Sequence, residues 1–277
     1  MYSLTVKKEK FTIKGFGEIN ISGASRSAKR TGYLIEPFDI YCDAGIPSDI
    51  KPNIVLLSHG HHDHVASLYS ILSESDECTP IMMSSSININ IKKMLNSFKS
   101  LDAGGSTVQF KNYKPINHTE YEITIKKKHI KIKTYELDHS ISSIAFSIIL
   151  ITKKLKTEFQ NKTGKELGLI KKQHNIYDDY PINMILFVSD TGKSILSKLP
   201  FSNHKIVIIE CTFIEDEHYE DSVRKKHLHW KDLEPIISSN EETIFILGHF
   251  SVRYNNSYLI EKEKELQSKY TNMKFWI

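Results

Sequence analysis

Four imidazoles and a carboxylate fall within the six positions His59-Gly60-His61-His62-Asp63-His64. Neutral imidazole nitrogens and carboxylate oxygens are the donors that suit a borderline divalent ion such as Zn²⁺. At this spacing His59 and His61 can meet one ion, while Asp63 and His64, opening the next helix, can meet a second. Structure brackets the burst on both sides. The apolar run Ile54-Val55-Leu56-Leu57 reads as a buried strand, and Val65, Leu68, Ile71 and Leu72 read as the apolar face of a helix. A histidine-rich surface tract has no such brackets. The motif reads as a metal site.

Other polar residues fall just past expected strands: His139, Asp190, Glu210 and His249. Strand ends are where sheet proteins build ligand sites, because rigid strands aim short loops at one place. His139 could complete the first ion's shell, His249 the second's, and Asp190 could bridge both. Each ion would keep room for a shared water. That is the arrangement of a two-metal hydrolase, and phosphodiester hydrolysis suits it.

The elements around these residues read as one domain spanning 1–277, without an internal repeat or a linker. At 277 residues, 40% apolar and 25% charged, the composition is that of a globular protein. No stretch approaches the length of a membrane span, and Met1 to Val6 alternates like a strand rather than a signal peptide. Cys42, Cys78 and Cys211 are odd in number and lack Cys-x-x-Cys spacing. They point to a reducing, cytoplasmic setting, with nucleus or organelle left open, and exclude a cysteine-clamped zinc finger. The net charge of +4 is compatible with an anionic partner without selecting nucleic acid.

In chain order, Ser22 to Lys29 reads as a flexible small-residue stretch, and Tyr33–Ile35 pairs with Phe38–Asp43 as a hairpin. A βα unit follows at Ile81–Met83 and Ile87–Leu101. Tyr121–Ile125 and His129–Lys133 alternate as strands, and Ile144–Leu150 reads as a buried one. The segment 153–179 breaks this pattern with Lys153, Lys154, Lys156, Lys162, Lys165, Lys171 and Lys172, and a short helix near 165–169. It reads either as a solvated insertion or as a basic handle for a polyanion. Strands at Met184–Val188, Lys205–Ile209, Thr243–Leu247 and Met273–Ile277 alternate with helices at His229–Ile237 and Leu259–Lys269.

His59-x-His61-x-Asp63-His64, followed by an isolated histidine, aspartate and histidine, resembles the metallo-β-lactamase fold. This is an αββα sandwich of two mixed β-sheets face to face with helices on the outside. Three further segments narrow the likeness to ribonuclease Z, the tRNA 3′-processing endonuclease: His249-Phe250-Ser251-x-Arg253-Tyr254, Glu210-Cys211-Thr212-Phe213 and His227-x-His229. Tyr135 to Phe146 and the lysine-rich stretch are similar to the short form found in plants.

The resemblance implies a first metal site of His59, His61, His139 and Asp190, and a second of Asp63, His64, Asp190 and His249. It implies two Zn²⁺ per chain, with Mn²⁺ or another divalent ion as substitutes. Asp63 would help position or deprotonate the attacking water. His227, oriented by Glu210, would protonate the leaving 3′-oxygen, and Asp43 would brace the metal loop. Trp230 reads as packing. Ser251, Arg253 and the seven lysines become substrate-binding candidates, the lysines clamping the elbow of precursor tRNA from the partner subunit of a homodimer. The implied activity removes the 3′ trailer and leaves a 3′-hydroxyl. A two-metal phosphodiesterase for small or cyclic diesters is the second reading, and a non-catalytic RNA-binding homologue is the third. The chain departs from the family where Ser189 and Ala145 stand for glycines and where 23–27 matches loosely.

Overall fold

The computed structural model describes residues 6–73 and 77–277. The strand expected at 1–6 therefore lies almost wholly outside the described residues. In the first sheet β1 (Lys7–Ile13), β2 (Gly17–Arg26), β3 (Arg30–Glu36) and β4 (Ile40–Cys42) run antiparallel. Parallel strands β5 (Ile54–Leu56), β6 (Thr79–Met82) and β7 (Tyr113–Ile116) extend it, in sequence order across seven strands. Parallel neighbours need a crossover. Two short helices, α1 (His62–Val65) and α2 (Leu68–Ser73), follow β5, and α3 (Ser85–Asp102) follows β6. The single helix expected after the histidine motif is thus two.

The second sheet repeats the plan. Strands β8 (Glu120–Ile125), β9 (Lys128–Leu137), β10 (Ser143–Leu155) and β11 (Tyr177–Val188) are antiparallel. They are continued by parallel β12 (Ile206–Glu210), β13 (Ile244–Gly248) and β14 (Met273–Phe275). Helix α4 (Gly164–Ile170) lies between β10 and β11. Helices α5 (Tyr219–Lys225) and α6 (Trp230–Ser239) link β12 to β13, and α7 (Asn256–Gln267) links β13 to β14.

Strand side chains alternate between faces, which gives each sheet two apolar surfaces to cover. Between the sheets Phe11, Ile21, Ile35 and Ile40 meet Ile130, Phe146, Phe187 and Ile208. On the outer face of the first sheet, Val55 and Ile81 pack on Leu68, Ile71, Ile87 and Leu95. On the outer face of the second, Val207, Ile209 and Leu247 pack on Leu233, Ile237, Leu259 and Leu266. The central parallel strands are buried on both faces, so they read as continuous apolar runs. Helix, sheet, sheet, helix is the expected sandwich.

Two segments differ from the sequence reading. The stretch expected to be flexible at Ser22 to Lys29 is mostly β2, paired residue for residue with β3 from Gly23↔Tyr33 to Arg26↔Arg30. Its small residues serve close approach, since a Cβ at Gly23 would sit 2.2 Å from the Gly32 carbonyl oxygen. The lysine-rich segment is a continuation of β10 and β11, paired out to Leu155↔Tyr177. A 3₁₀ turn at Thr157–Phe159 and α4 form its tip, and Thr163 and Glu166 cap α4 reciprocally. Lys153 and Lys154 are strand residues of this arm.

Gly45 packs the turn after β4 against β3 and the loop after β5, all within the first sheet. Ala44 N–H donates to His64 O at 2.7 Å and Gly45 N–H to Thr31 O at 2.8 Å. A Cβ at Gly45 would lie 1.7 Å from Asp63 O and 2.6 Å from Thr31 O, both backbone atoms. Gly45→Ala is therefore expected to destabilise the fold by about 3 kcal/mol, since overpacking here moves backbone. Gly164→Ala, with nothing within 4 Å, should be neutral or stabilising by under about 1 kcal/mol. Urea unfolding of both variants checks the contrast.

Candidate metal centre

Seven donors converge where strand ends of the two sheets face each other. His59, His61, Asp63 and His64 follow β5, His139 follows β9, Asp190 follows β11 and His249 follows β13. His59, His61, His139 and Asp190 offer ligand atoms all within 4.8 Å of one another, as do Asp63, His64 and His249. In the first group His61 Nδ1 lies 3.1 Å from His59 Nε2 and 3.3 Å from His139 Nε2. Asp190 Oδ2 lies 3.6 and 3.9 Å from the same two Nε2 atoms. A tetrahedral ion with bonds of about 2.0–2.1 Å needs ligand separations of about 3.3 Å. In the second group Asp63 Oδ2 is 3.4 Å from His249 Nε2 and 3.6 Å from His64 Nε2. Asp190 Oδ2 is also 3.5 Å from His64 Nε2, so one oxygen faces both groups.

The orphaned atoms point the same way. His64 Nε2 and Asp190 Oδ1 are buried without a hydrogen-bond partner. Such burial costs about 1–3 kcal/mol per group unless something replaces the missing partner. A cation between the groups would do so. The residues present fit a pair of divalent ions.

Neighbouring groups set which nitrogen faces inward. Nδ1 of His59 meets Ser58 Oγ at 2.9 Å, and Nδ1 of His64 meets Asp43 Oδ2 at 2.7 Å. Nδ1 of His139 meets the Lys226 carbonyl at 3.0 Å, and Nδ1 of His249 meets Thr212 Oγ1 at 3.0 Å. With Nδ1 occupied, each of these rings turns Nε2 to the centre, and His61 alone presents Nδ1. Burial and the neighbouring imidazoles push His59 and His61 toward the neutral form, and burial does the same for His139. Burial would raise Asp63 and Asp190, but His249 and His64 more than offset it and hold both carboxylates ionised. In these forms the five residues can bind a cation. For His64, burial is outweighed by the Asp190 and Asp43 charges, which push it toward the imidazolium, whose Nε2 proton an ion would displace. His249 at φ 61° and Asp43 at φ 60° are left-handed backbone, strain that is common where a side chain must be aimed.

No family model matches the chain. It is 24% identical to tRNase Z TRZ1 of Arabidopsis thaliana over 259 residues, covering 90% of each protein. Among solved structures it is similar to the metallo-β-lactamase fold protein YhfI from Bacillus subtilis, with TM-score 0.61 and 17% identity. That match spans 93% of this chain and 95% of the other. The short form of human tRNase Z superposes with TM-score 0.53 and 15% identity over 84% of this chain and 92% of its own. The fold is the metallo-β-lactamase fold. The likeness to ribonuclease Z read from the motifs is borne out at the level of the whole chain.

Within this metallo-β-lactamase fold the remaining candidates divide. His227 stacks on His249 with ring centroids 5.4 Å apart and lies 5.0 Å from the His139 ring. Its Nδ1 is 3.0 Å from Glu210 Oε1. Burial would neutralise His227, but the Glu210 charge outweighs it and lifts the pKa to about 9. His229 is elsewhere: it caps α6 and bonds the Glu215 carbonyl. His62 is exposed, and Trp230 packs against Tyr270. Ser251 is buried, its N–H donating to Thr212 O at 2.9 Å. Arg253 pairs with Asp221 at 2.8 Å and covers the Phe213 ring.

On the arm Lys153 pairs with Asp179 and Lys156 lies 4.0 Å from Asp178. Lys162 lies 3.9 Å from Glu166, while Lys154 and Lys171 cover the rings of Tyr180 and Tyr177. Lys165 and Lys172 make no ion pair among the described residues. No helix among the described residues is long and apolar enough to cross a membrane.

Glu210 accepts four donors: Thr191 N–H at 2.7 Å, His227 Nδ1 at 3.0 Å, Thr212 Oγ1 at 2.5 Å and Leu228 N–H at 3.2 Å. A carboxylate accepts at both oxygens, whereas an amide nitrogen cannot accept. Glu210→Gln therefore opposes donor to donor at one end, despite its equal size. We expect it to destabilise the fold by about 2 kcal/mol, read as a lowered midpoint in urea unfolding.

Proposed function

We propose that the chain is a metal-dependent phosphodiester hydrolase that cuts the 3′ trailer from precursor tRNA and leaves a 3′-hydroxyl. The observation that carries this reading is the pair of ligand groups facing one Asp190 oxygen, with the His227–Glu210 pair stacked beside them. Similarity to tRNase Z over 90% of the chain supports RNA as the substrate.

His59, His61, His139 and Asp190 would hold one ion, and Asp63, His64, Asp190 and His249 the other, with Zn²⁺ or Mn²⁺ as the ions. Bound there, the ions would lower the pKa of water and stabilise the charge developing on phosphate oxygens. Asp63, ionised beside His64 and His249, would orient the attacking water and take its proton. His227 has Nδ1 committed to Glu210, so the proton it can donate sits on Nε2. Delivered to the departing 3′-oxygen, that proton leaves the tRNA product with a 3′-hydroxyl.

The arm at 153–179 would grip the tRNA away from the cut, reaching across from the partner subunit of a homodimer. It holds seven lysines against four carboxylates, Glu158, Glu166, Asp178 and Asp179, and so carries most of the chain's net charge of +4. Lysines act on phosphate as point charges without reading sequence, so this grip should weaken as salt rises.

Precursor tRNA with a 3′ trailer, incubated with zinc-loaded protein, should be cut once near the base of the trailer, and chelation should abolish the cut. An intact precursor beside turnover of a small diester would favour the small-diester phosphodiesterase instead. His227→Ala should slow the cut about 10²–10⁴-fold while zinc content stays at the wild-type value. Zinc loss in that variant would make His227 a ligand and overturn the proton-donor role.

A further inference from the structure

We infer that Ser189, which stands where the family resemblance has glycine, is a positioning residue whose hydroxyl locks the Asp190 loop onto the histidine loop. The inference rests on the metal reading above and concerns how this chain's own residues hold the site. Ser189 is buried and is the first residue after β11. Its Oγ lies 2.9 Å from Ser58 Oγ, 3.2 Å from Asp43 Oδ2 and 3.5 Å from His64 Nδ1.

The donors order themselves. With Nε2 of His59 and His64 facing the centre, their Nδ1–H groups donate to Ser58 Oγ and Asp43 Oδ2. Ser58 O–H then has two acceptors at 2.9 Å, Asp43 Oδ2 and Ser189 Oγ, and Ser189 O–H donates to the same Asp43 Oδ2. Ser58 N–H fills Asp43 Oδ1 at 2.8 Å. A histidine from each ligand group thus leads to one carboxylate.

Every other side chain in this hydrogen-bonded network comes from the first sheet: Asp43 after β4, and Ser58, His59 and His64 after β5. Among the described residues, Ser189 is the side chain that the second sheet adds on the Nδ1 side of these histidines, and the next residue is Asp190. Asp190 Oδ2 must reach His59 Nε2 at 3.6 Å and His64 Nε2 at 3.5 Å across the gap between the sheets. A glycine here would leave that gap to backbone contacts, such as Ile144 N–H to Ser58 O at 3.1 Å. The hydroxyl adds a side-chain tie one residue from the shared ligand. Hydrogen bonds behind ligands commonly change metal affinity about 10–100-fold.

The test compares wild type, Ser189→Ala, Ser189→Gly and Ser147→Ala as full-length protein. Ser147 is a control of matched chemistry, a buried hydroxyl on β10 bonded to His204 Nε2 at 2.7 Å away from the ligands. Zn²⁺ affinity is measured by competition with a chromophoric chelator, and the geometry by the visible absorption of bound Co²⁺. Metal-free unfolding midpoints separate lost stability from lost affinity. Both Ser189 variants should bind Zn²⁺ about tenfold more weakly and shift the Co²⁺ bands, while Ser147→Ala changes neither. Affinities within twofold of wild type, or an equal loss in Ser147→Ala, would overturn the positioning role. A wild-type protein that takes up no Zn²⁺ would instead overturn the metal reading on which it stands.

Discussion

Everything at this site depends on keeping the Asp190 carboxylate ionised while it is buried between two sheets. Taking a carboxylate out of water costs several kcal/mol even after the protein relaxes. Here His249 and His64, 3.4 and 3.5 Å from its oxygens, offset that cost, with His59 and His139 also within 4 Å. Those imidazoles are themselves buried and would repel one another if all were charged. Nearby acceptors resolve the conflict by fixing each ring, with Asp43, Ser58, Thr212 and the Lys226 carbonyl holding Nδ1. The arrangement is satisfied on its outside and unsatisfied at its centre, where His64 Nε2 and Asp190 Oδ1 lack partners. That residual imbalance is what a divalent ion fits.

The sandwich makes this convergence geometrically simple. Each sheet opens with antiparallel strands and ends in a run of parallel ones, so parallel strands bring their loops to one edge. Facing the two sheets brings the loop after β5 against those after β11 and β13. Helices cover the outer faces and leave that edge open. The tightness at Gly45, whose N–H bonds the Thr31 carbonyl while its Cα packs on Asp63 O, holds the β5 loop at a fixed height. Aim is then a property of backbone, and the left-handed residues Asp43 and His249 supply the turns that strands alone cannot.

What the sequence made legible follows from the same physics. Most of the candidate ligands could be read because they are chemically distinctive side chains just after a continuous apolar run, and apolar runs mark strands buried on both faces; His139 instead follows β9, an alternating strand. Strands that alternate, such as β8 and β9, were legible by their period of two. Ser22 to Arg26 was misread because small residues signal either flexibility or close packing, and only the neighbour Gly32 shows which. In the β10–β11 arm the short helix was legible but the strand extensions were not, because the outer half has no buried face and Lys153-Lys154 and Asp178-Asp179 show no apolar period. The bracing of the ligands was largely hidden. The resemblance marked Asp43 as a brace, but the Thr212–His249 and Ser58–Ser189 pairs lie 37 and 131 residues apart, and spacing carries no trace of such pairs.

His227 shows why geometry has to arbitrate among similar side chains. Asp190, His227 and His249 form a third group close enough to hold a cation. Distance alone would let His227 be a ligand. Its hydrogen bonding argues otherwise, because Nδ1 faces Glu210 Oε1, and Glu210 is itself pinned by the Thr191 and Leu228 N–H groups. Burial is outweighed by the Glu210 charge, which favours the imidazolium, the form that carries a proton to give. Asp190 and His249 are also already drawn toward His64 and Asp63. Asp43 stands behind His64 Nδ1 as Glu210 stands behind His227 Nδ1, so a carboxylate alone does not separate ligand from proton carrier; what sets His227 apart is that Asp190 and His249 already face His64 and Asp63.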